Sequence, residues 1–308
     1  MGQRRSRADH LGVKAVLATL LGVVVVAAAV FAVVRLATPR DAPAPIPPPQ
    51  RCVATAGDYS ASLTLEQAGN AAIIAGVAMQ RGLPARAATI ALVTAMQESG
   101  LRNLDYGDRD SIGLFQQRPS QGWGTVAQIM DPWYSAGKFY DALVKVPDWQ
   151  TGDINDVAQT VQRSGVPDGY RKHESAGRAW ASTLTGNSPG GITCVDRGTA
   201  PGDPAVAAEL LQRVFGEAIS VQTDGKTLLV TAPDAATAWA AAQVSLADTG
   251  QAGVVSAQVG QRRLTLDPMT QASWTTVDAS SAPPTSAGAT PSPDDLPLAG
   301  DQARIVLR

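Results

Sequence analysis

Apolar and polar positions divide the chain into six stretches of different character. From Ala15 to Val34, twenty residues pass without a charge. As a helix that run is about 30 Å long, the thickness of a bilayer core. It is apolar on every face, unlike a helix that packs one side on a soluble core. Arg4, Arg5 and Arg7 precede it and Lys14 sits at its edge, and such a positive flank stays in the cytoplasm. Residues 1–14 therefore read as a cytoplasmic basic N-terminus. Residues 15–36 read as an N-terminal transmembrane helix that anchors the chain in the cell membrane with one pass and sends the remainder outside. A cleaved secretory signal is the alternative, and it exports the remainder too. Residues 37–51, ATPRDAPAPIPPPQR, form a polyproline-type spacer.

Between Cys52 and Cys194 the apolar positions recur at helical spacing. Thr64 and Gln67 make a capping box. The helix behind them carries Ala68, Ala71, Ile73, Ile74, Val77 and Ala78 and stops near Gly82. Pro84 starts a second helix over 85–99, with Ile90, Leu92, Val93 and Met96 facing a core and Gly100 as its C-terminal cap. Asp131-Pro132 opens a third helix through about Val144. Asp153 or Asn155 caps a fourth through about Ser164, and a last one runs from about Tyr170 to Leu184. No long strand pattern interrupts them, so residues 52–200 read as a mainly α domain.

After Gly202 the pattern changes. Residues 204–215 read as helix. The runs ISVQT and KTLLVTA flank Asp224-Gly225, a hairpin turn signal. Asp234 caps a helix through about Asp248, and VVSAQVG, RRLTLDP and ASWTTV read as strands. Residues 201–277 are thus a small α+β domain. Residues 278–308 read as a disordered Ser/Pro/Ala/Thr-rich tail unable to support a core.

Composition narrows the function. The chain has 308 residues, 44% of them hydrophobic and 5% aromatic, and a net charge of −2. There is no basic field to hold a nucleic-acid backbone, so nucleic acid is not an expected partner. Two cysteines and two histidines are scattered without metal-ligand spacing. No metal and no cofactor is expected. In an exported chain, Cys52 and Cys194 are expected to form a disulfide.

The chemistry concentrates in residues 94–124. Glu98 ends an otherwise apolar helix, with the small residues Thr94, Ala91 and Ala87 behind it leaving room for a cleft. A helix C-terminus and partial burial both disfavour a charged carboxylate, the condition a general acid needs. Asp105, Asp108 and Asp110 crowd the loop that follows. Asp108 and Asp110 are candidates for a second carboxylate, with a solvated or arginine-paired loop as the plainer alternative. Gln116 and Gln117 can both donate to and accept from sugar hydroxyls and acetamido groups. Trp123, between Gly122 and Gly124, suits either stacking on a sugar or a place in the core.

The run Glu98-Ser99, a loop, then Ser111-x-Gly113-Leu114-Phe115-Gln116 resembles the lysozyme-like lytic transglycosylases. The fuller segment ESGLRNLDYGDRDSIGLFQQRPSQGWG resembles an actinobacterial branch of membrane-anchored, lysozyme-like wall proteins. The resemblance spans about residues 52–194 and is specific over about 30 of them. It implies a lysozyme-like fold for the mainly α domain and cleavage of the β-1,4 bond between MurNAc and GlcNAc in peptidoglycan. Glu98 would be the catalytic acid and then the base, Gln116 would line the subsite, and Ser111 would help hold the loop. The later aromatic/amide motif of such proteins, Ala-Tyr-Asn-Ala-Gly, has its counterpart at Thr160-Val161-Gln162-Arg163-Ser164, followed by Tyr170. The Tyr-Asn pair is absent, so Gln162 and Tyr170 stand as the site residues there. Peptidoglycan strands, the membrane through residues 15–36, and a wall-synthesis or secretion machine are the expected partners. A hydrolytic muramidase and a catalytically inactive wall-binding protein are the alternatives.

Overall fold

The structure is a computed structural model that describes residues 19–33, 47–277 and 296–308. It separates into two units, Met1–Pro47 and Pro48–Arg308. In the first, a helix (α1) covers residues 19–33. No helix among the described residues is long and apolar enough to cross a membrane. That corrects the transmembrane helix expected at 15–36, whose ends at 15–18 and 34–36 lie outside the described residues. So does most of the spacer expected at 37–51.

The second unit is a mixed α/β structure with two antiparallel sheets, not a mainly α domain with a small appendage. It opens with β1 (Arg51–Ala56) and β2 (Tyr59–Leu63). They form a hairpin about Gly57-Asp58, where Gly57 takes φ +57°, the left-handed conformation such a two-residue turn needs. The helices α2 (Leu65–Gln80), α3 (Ala85–Glu98), α4 (Val126–Ile129), α5 (Pro132–Leu143), α6 (Ile154–Gln162) and α7 (Glu174–Leu184) follow. Then β3 (Ile192–Val195) returns to pair with β1 and completes a sheet in the order β2-β1-β3. Cys52 lies directly opposite Cys194 in that register and is joined to it by a disulfide.

The reading of this region as mainly α fails for a physical reason. RCVATA, YSASL and ITCV are short and built largely from small residues. β3 lies more than a hundred residues from its partner β1, and local periodicity cannot report such a pairing.

The helix expectations fare better. Thr64 and Gln67 form the capping box of α2. Asp131 caps α5, and Asp153 caps α6 by accepting from the Asp156 amide. The last helix begins with a 3-10 turn at Arg171–His173. α3 is the central element, with every residue from Ala87 to Met96 buried. α2, α5, α6 and α7 all pack against it. α7 approaches closely because Gly177 has no side chain: a Cβ there would lie 2.4 Å from Val93 Cγ2. The buried end of α3 aims its last residue, Glu98, at the loops beyond.

The remaining chain comprises α8 (Pro204–Phe215), β4 (Ser220–Asp224), β5 (Thr227–Thr231), α9 (Ala235–Ala247), α10 (Thr249–Ala252), β6 (Val254–Val259), β7 (Arg262–Thr265), β8 (Thr275–Thr276) and β9 (Gln302–Leu307). The sheet order is β4-β5-β9-β6-β7-β8. The hairpin at Asp224-Gly225 and the Asp234 cap are as expected. β9 is not: it lies in the stretch read as a disordered tail, yet it occupies the middle of the sheet. Residues 278–295 of that stretch lie outside the described residues. β9 alternates between half-buried and buried positions, with Ala303, Ile305 and Leu307 turned inward. Six alternating residues sit behind a long Pro/Ser-rich run, whose composition hides them.

The boundary expected near residue 200 falls inside the compact unit Pro48–Arg308. α9 is buried from Ala238 to Ala247 and packs on both sheets' strands and on α2 and α7. Gln243, fully buried, joins the parts: its Oε1 accepts from the Gly191 and Ile192 amides and its Nε2 donates to the Thr183 carbonyl.

Candidate functional site

Glu98 is the last residue of α3, and the chain turns sharply behind it. Gly100 and Leu101 take φ of +64° and +58°. α2 holds that turn: Gln67 donates to the Gly100 carbonyl at 2.8 Å and Asn70 to the Leu101 carbonyl at 2.9 Å. Glu98 is half-buried. Its Oε1 accepts a 2.6 Å hydrogen bond from the Tyr170 hydroxyl. No lysine or arginine among the described residues pairs with it.

Tyr170 is fully buried. Burial pushes its hydroxyl well above the usual phenol range, and the hydrogen bond to Glu98 and the charge there push the same way. Tyr170 is therefore a neutral donor throughout the working pH range. It reaches Glu98 from the segment between α6 and α7, 72 residues along the chain.

The loop ahead of the site is a tight hairpin closed by Ile112 and Gln117, whose amides and carbonyls exchange bonds of 3.0 and 2.9 Å. Gly113 is required at its start. It takes φ +80°, and a Cβ there would lie 2.9 Å from the Ile129 carbonyl. Leu114 and Phe115 are fully buried, and Phe115 stacks on Phe139 with ring centroids 4.7 Å apart. Their carbonyls face opposite anchors. Ser99 Oγ donates to the Leu114 carbonyl at 2.8 Å, and Gln162 Nε2 donates to the Phe115 carbonyl at 2.8 Å. Ser99, next to Glu98, and Gln162, at the end of α6, thus clamp the loop from two sides.

The expected site residues separate into distinct roles. Glu98 and Tyr170 meet directly. Gln162 serves the loop through Phe115. Gln116 takes φ +48°, and its amide folds onto the Tyr106 and Gly113 carbonyls, each at 3.3 Å. Gly107 makes room for it: a Cβ there would lie 1.8 Å from Gln116 Oε1. Gln117 points inward instead. It is buried and donates to the Ser135 carbonyl at 3.0 Å, which places its side chain in the core between loop and α5. Ser111 is buried, its amide bonded to the Asp108 carbonyl. Trp123 packs partly on the core and lines a groove of about 460 Å³ together with Gln162.

The two candidate second carboxylates are placed differently. Asp110 accepts from Arg118 at 2.7 Å and from the Ser120 amide at 2.8 Å. The Arg118 guanidinium, with Ser120, holds this carboxyl far below the usual carboxylate range. Asp108 is open to solvent, 3.9 Å from its neighbour Arg109. The plainer alternative, an arginine-paired loop, describes Asp110.

Ser99, Gln67, Asn70 and Gly107 are the residues to which no site role was given from sequence. Ser99 was visible in the Glu-Ser pair, but its acceptor 15 residues away was not. No group of His, Cys, Asp or Glu among the described residues could hold a metal ion. No protein-family model matches the sequence. None of the curated proteins matches it either.

Proposed function

We propose that this protein cleaves the glycan strands of peptidoglycan at the β-1,4 bond between MurNAc and GlcNAc, with Glu98 acting alone as acid and then base. One observation carries the reading most: a half-buried carboxylate with no cationic partner among the described residues, held in place by a neutral tyrosine hydroxyl. A lysine or arginine would have tied that carboxylate into an ion pair, whereas the tyrosine hydroxyl only orients it toward a bond that needs a proton. The motif resemblance around Glu98-Ser99 and Gly113-Leu114-Phe115-Gln116 supplies the substrate class.

Protonated Glu98 gives its proton to the bridging oxygen as the glycosidic bond breaks. The carboxylate then removes the proton of the muramyl 6-hydroxyl, and that oxygen bonds to C1 to close a 1,6-anhydro ring. No water is consumed and the acid is regenerated. Hydrolysis with a second carboxylate is the weaker reading, because Asp110 is committed to Arg118. The disulfide supports a location outside the cytoplasm, where such a bond persists. That is also where the wall lies.

The test is zymography on purified wall with wild type and Glu98→Gln, followed by mass spectrometry of the products. Clearing by wild type alone, with anhydro-muramyl ends, is expected. Equal clearing by both proteins removes Glu98 from the chemistry, and reducing ends without anhydro rings show a hydrolase.

A further inference from the structure

The groove that Gln162 shares with Trp123 has a chemistry of its own. Its walls include Trp123, Lys145, Pro147, Thr160, Gln162 and Arg163. Two of these are cations, and both side chains are exposed. Neither forms an ion pair among the described residues. The neighbouring carboxylates of α5 and α6 are engaged elsewhere: Asp141 pairs with Arg81, and Asp156 lies 3.9 Å from Arg171.

Arg163 is also held in an unusual backbone conformation. It caps the C-terminus of α6 with φ +51°, a region that costs a long side chain steric strain. Glycine or asparagine is the ordinary residue at such a cap. An arginine there places a charge immediately beside Gln162, whose amide holds the loop in front of Glu98. One residue further, the Ser164 carbonyl accepts from Gln159 at 2.6 Å, and Tyr170, which donates to Glu98, follows six residues on. The groove and the Glu98 site are therefore built on the same short segment.

We propose that this groove binds a carboxylate carried by the muramyl residue of the strand, with Lys145 and Arg163 as its partners and Trp123 as an apolar wall. The proposal rests on the peptidoglycan reading above and adds a preference to it: the protein selects charged strands over neutral ones of the same backbone. The carboxylate has two chemical sources, the stem peptide or the lactyl group freed when the stem has been removed.

The test is equilibrium binding to the full chain carrying Glu98→Gln, so that bound strands are not consumed. Three probes are compared: stem-bearing wall oligosaccharides, the same oligosaccharides stripped of stems, and an uncharged N-acetylglucosamine hexamer. The variant is Lys145→Gln with Arg163→Asn, since asparagine accepts the left-handed backbone while removing the charge. Two exposed charge contacts together are worth about tenfold in affinity. A loss of that size for the charged probes, with the hexamer unchanged and affinity recovered by Arg163→Lys, is expected. Loss confined to the stem-bearing probe identifies the stem as the source, loss confined to the stripped probe identifies the lactyl group, and loss on both shows that the groove takes either carboxylate. A variant that binds all three probes as its parent does, or a parent that does not distinguish them, overturns the proposal. Wild-type clearing in the zymogram is read separately, so the glycan-cleaving reading can stand while this one falls.

Discussion

The Tyr170 hydroxyl donates to Glu98 across 2.6 Å, from a ring that is completely buried. Glu98 hangs from the end of a rigid, buried helix, so the tyrosine fixes the one remaining freedom, the direction of the carboxyl. Replacing Tyr170 with phenylalanine keeps the ring and removes only that bond. A hydrogen bond to a charged group is worth about 1.5–3 kcal/mol, so wall clearing by Tyr170→Phe is expected to slow about ten- to a hundredfold. The melting temperature should move little. Unchanged turnover would mean that Tyr170 is only a packing residue.

Asp110 and Asp108 provide a contrast. Asp110 is committed to Arg118 and the Ser120 amide, and Asp108 lies in solvent. Asp108→Asn is expected to leave the rate of clearing near wild type. Asp110→Asn loosens the 110–120 loop and lowers the rate by no more than a few-fold. A loss at either position as deep as that of Glu98→Gln, measured on the same wall preparation, would restore the two-carboxylate mechanism.

The disulfide between β1 and β3 closes a span of 142 residues. Restricting the unfolded chain over that length corresponds to about 5 kcal/mol in the loop-entropy description. The Cys52→Ala/Cys194→Ala variant, and the wild type under reductant, are expected to melt well below the oxidised protein. Equal melting of the oxidised and reduced forms would show that the helices around α3 hold the sheet without the link.

Asp248 sits at the C-terminal cap of α9 with its carboxyl near Gly69 of α2. Burial pushes it up from 3.8 to about 7. The folded state thus holds a proton that the unfolded chain has released. The stability this contributes is complete below pH 3.8 and is lost as pH rises through about 7. Asp248→Asn cannot follow that titration. Melting curves from pH 4 to 8 should show wild type losing stability relative to the variant, with the difference levelling off above pH 7. Parallel curves would mean that Asp248 is solvated in both states.

Local rules were enough for much of this molecule. The capping box of α2, the Asp caps of α5, α6 and α9, and the Asp224-Gly225 hairpin each depend on residues a few positions apart. A short stretch therefore carries all the information they need. The prominence of Glu98 came from the same source, as a lone carboxyl ending an apolar helix beside a recognisable loop.

The tertiary structure decided everything that depends on distant partners. It paired β3 with β1, drew β9 from behind a Pro/Ser-rich run into the centre of a sheet, and placed α9 against both sheets. It turned Gln117 into the core and gave Asp110 to Arg118, though their sequence surroundings looked equally suited to a ligand. It brought Tyr170 to Glu98 from 72 residues away. Sequence patterns record which face of an element is apolar. Which buried surface meets which is set by packing and by the need of each buried polar group for a partner, and those terms exist only once the whole chain has folded.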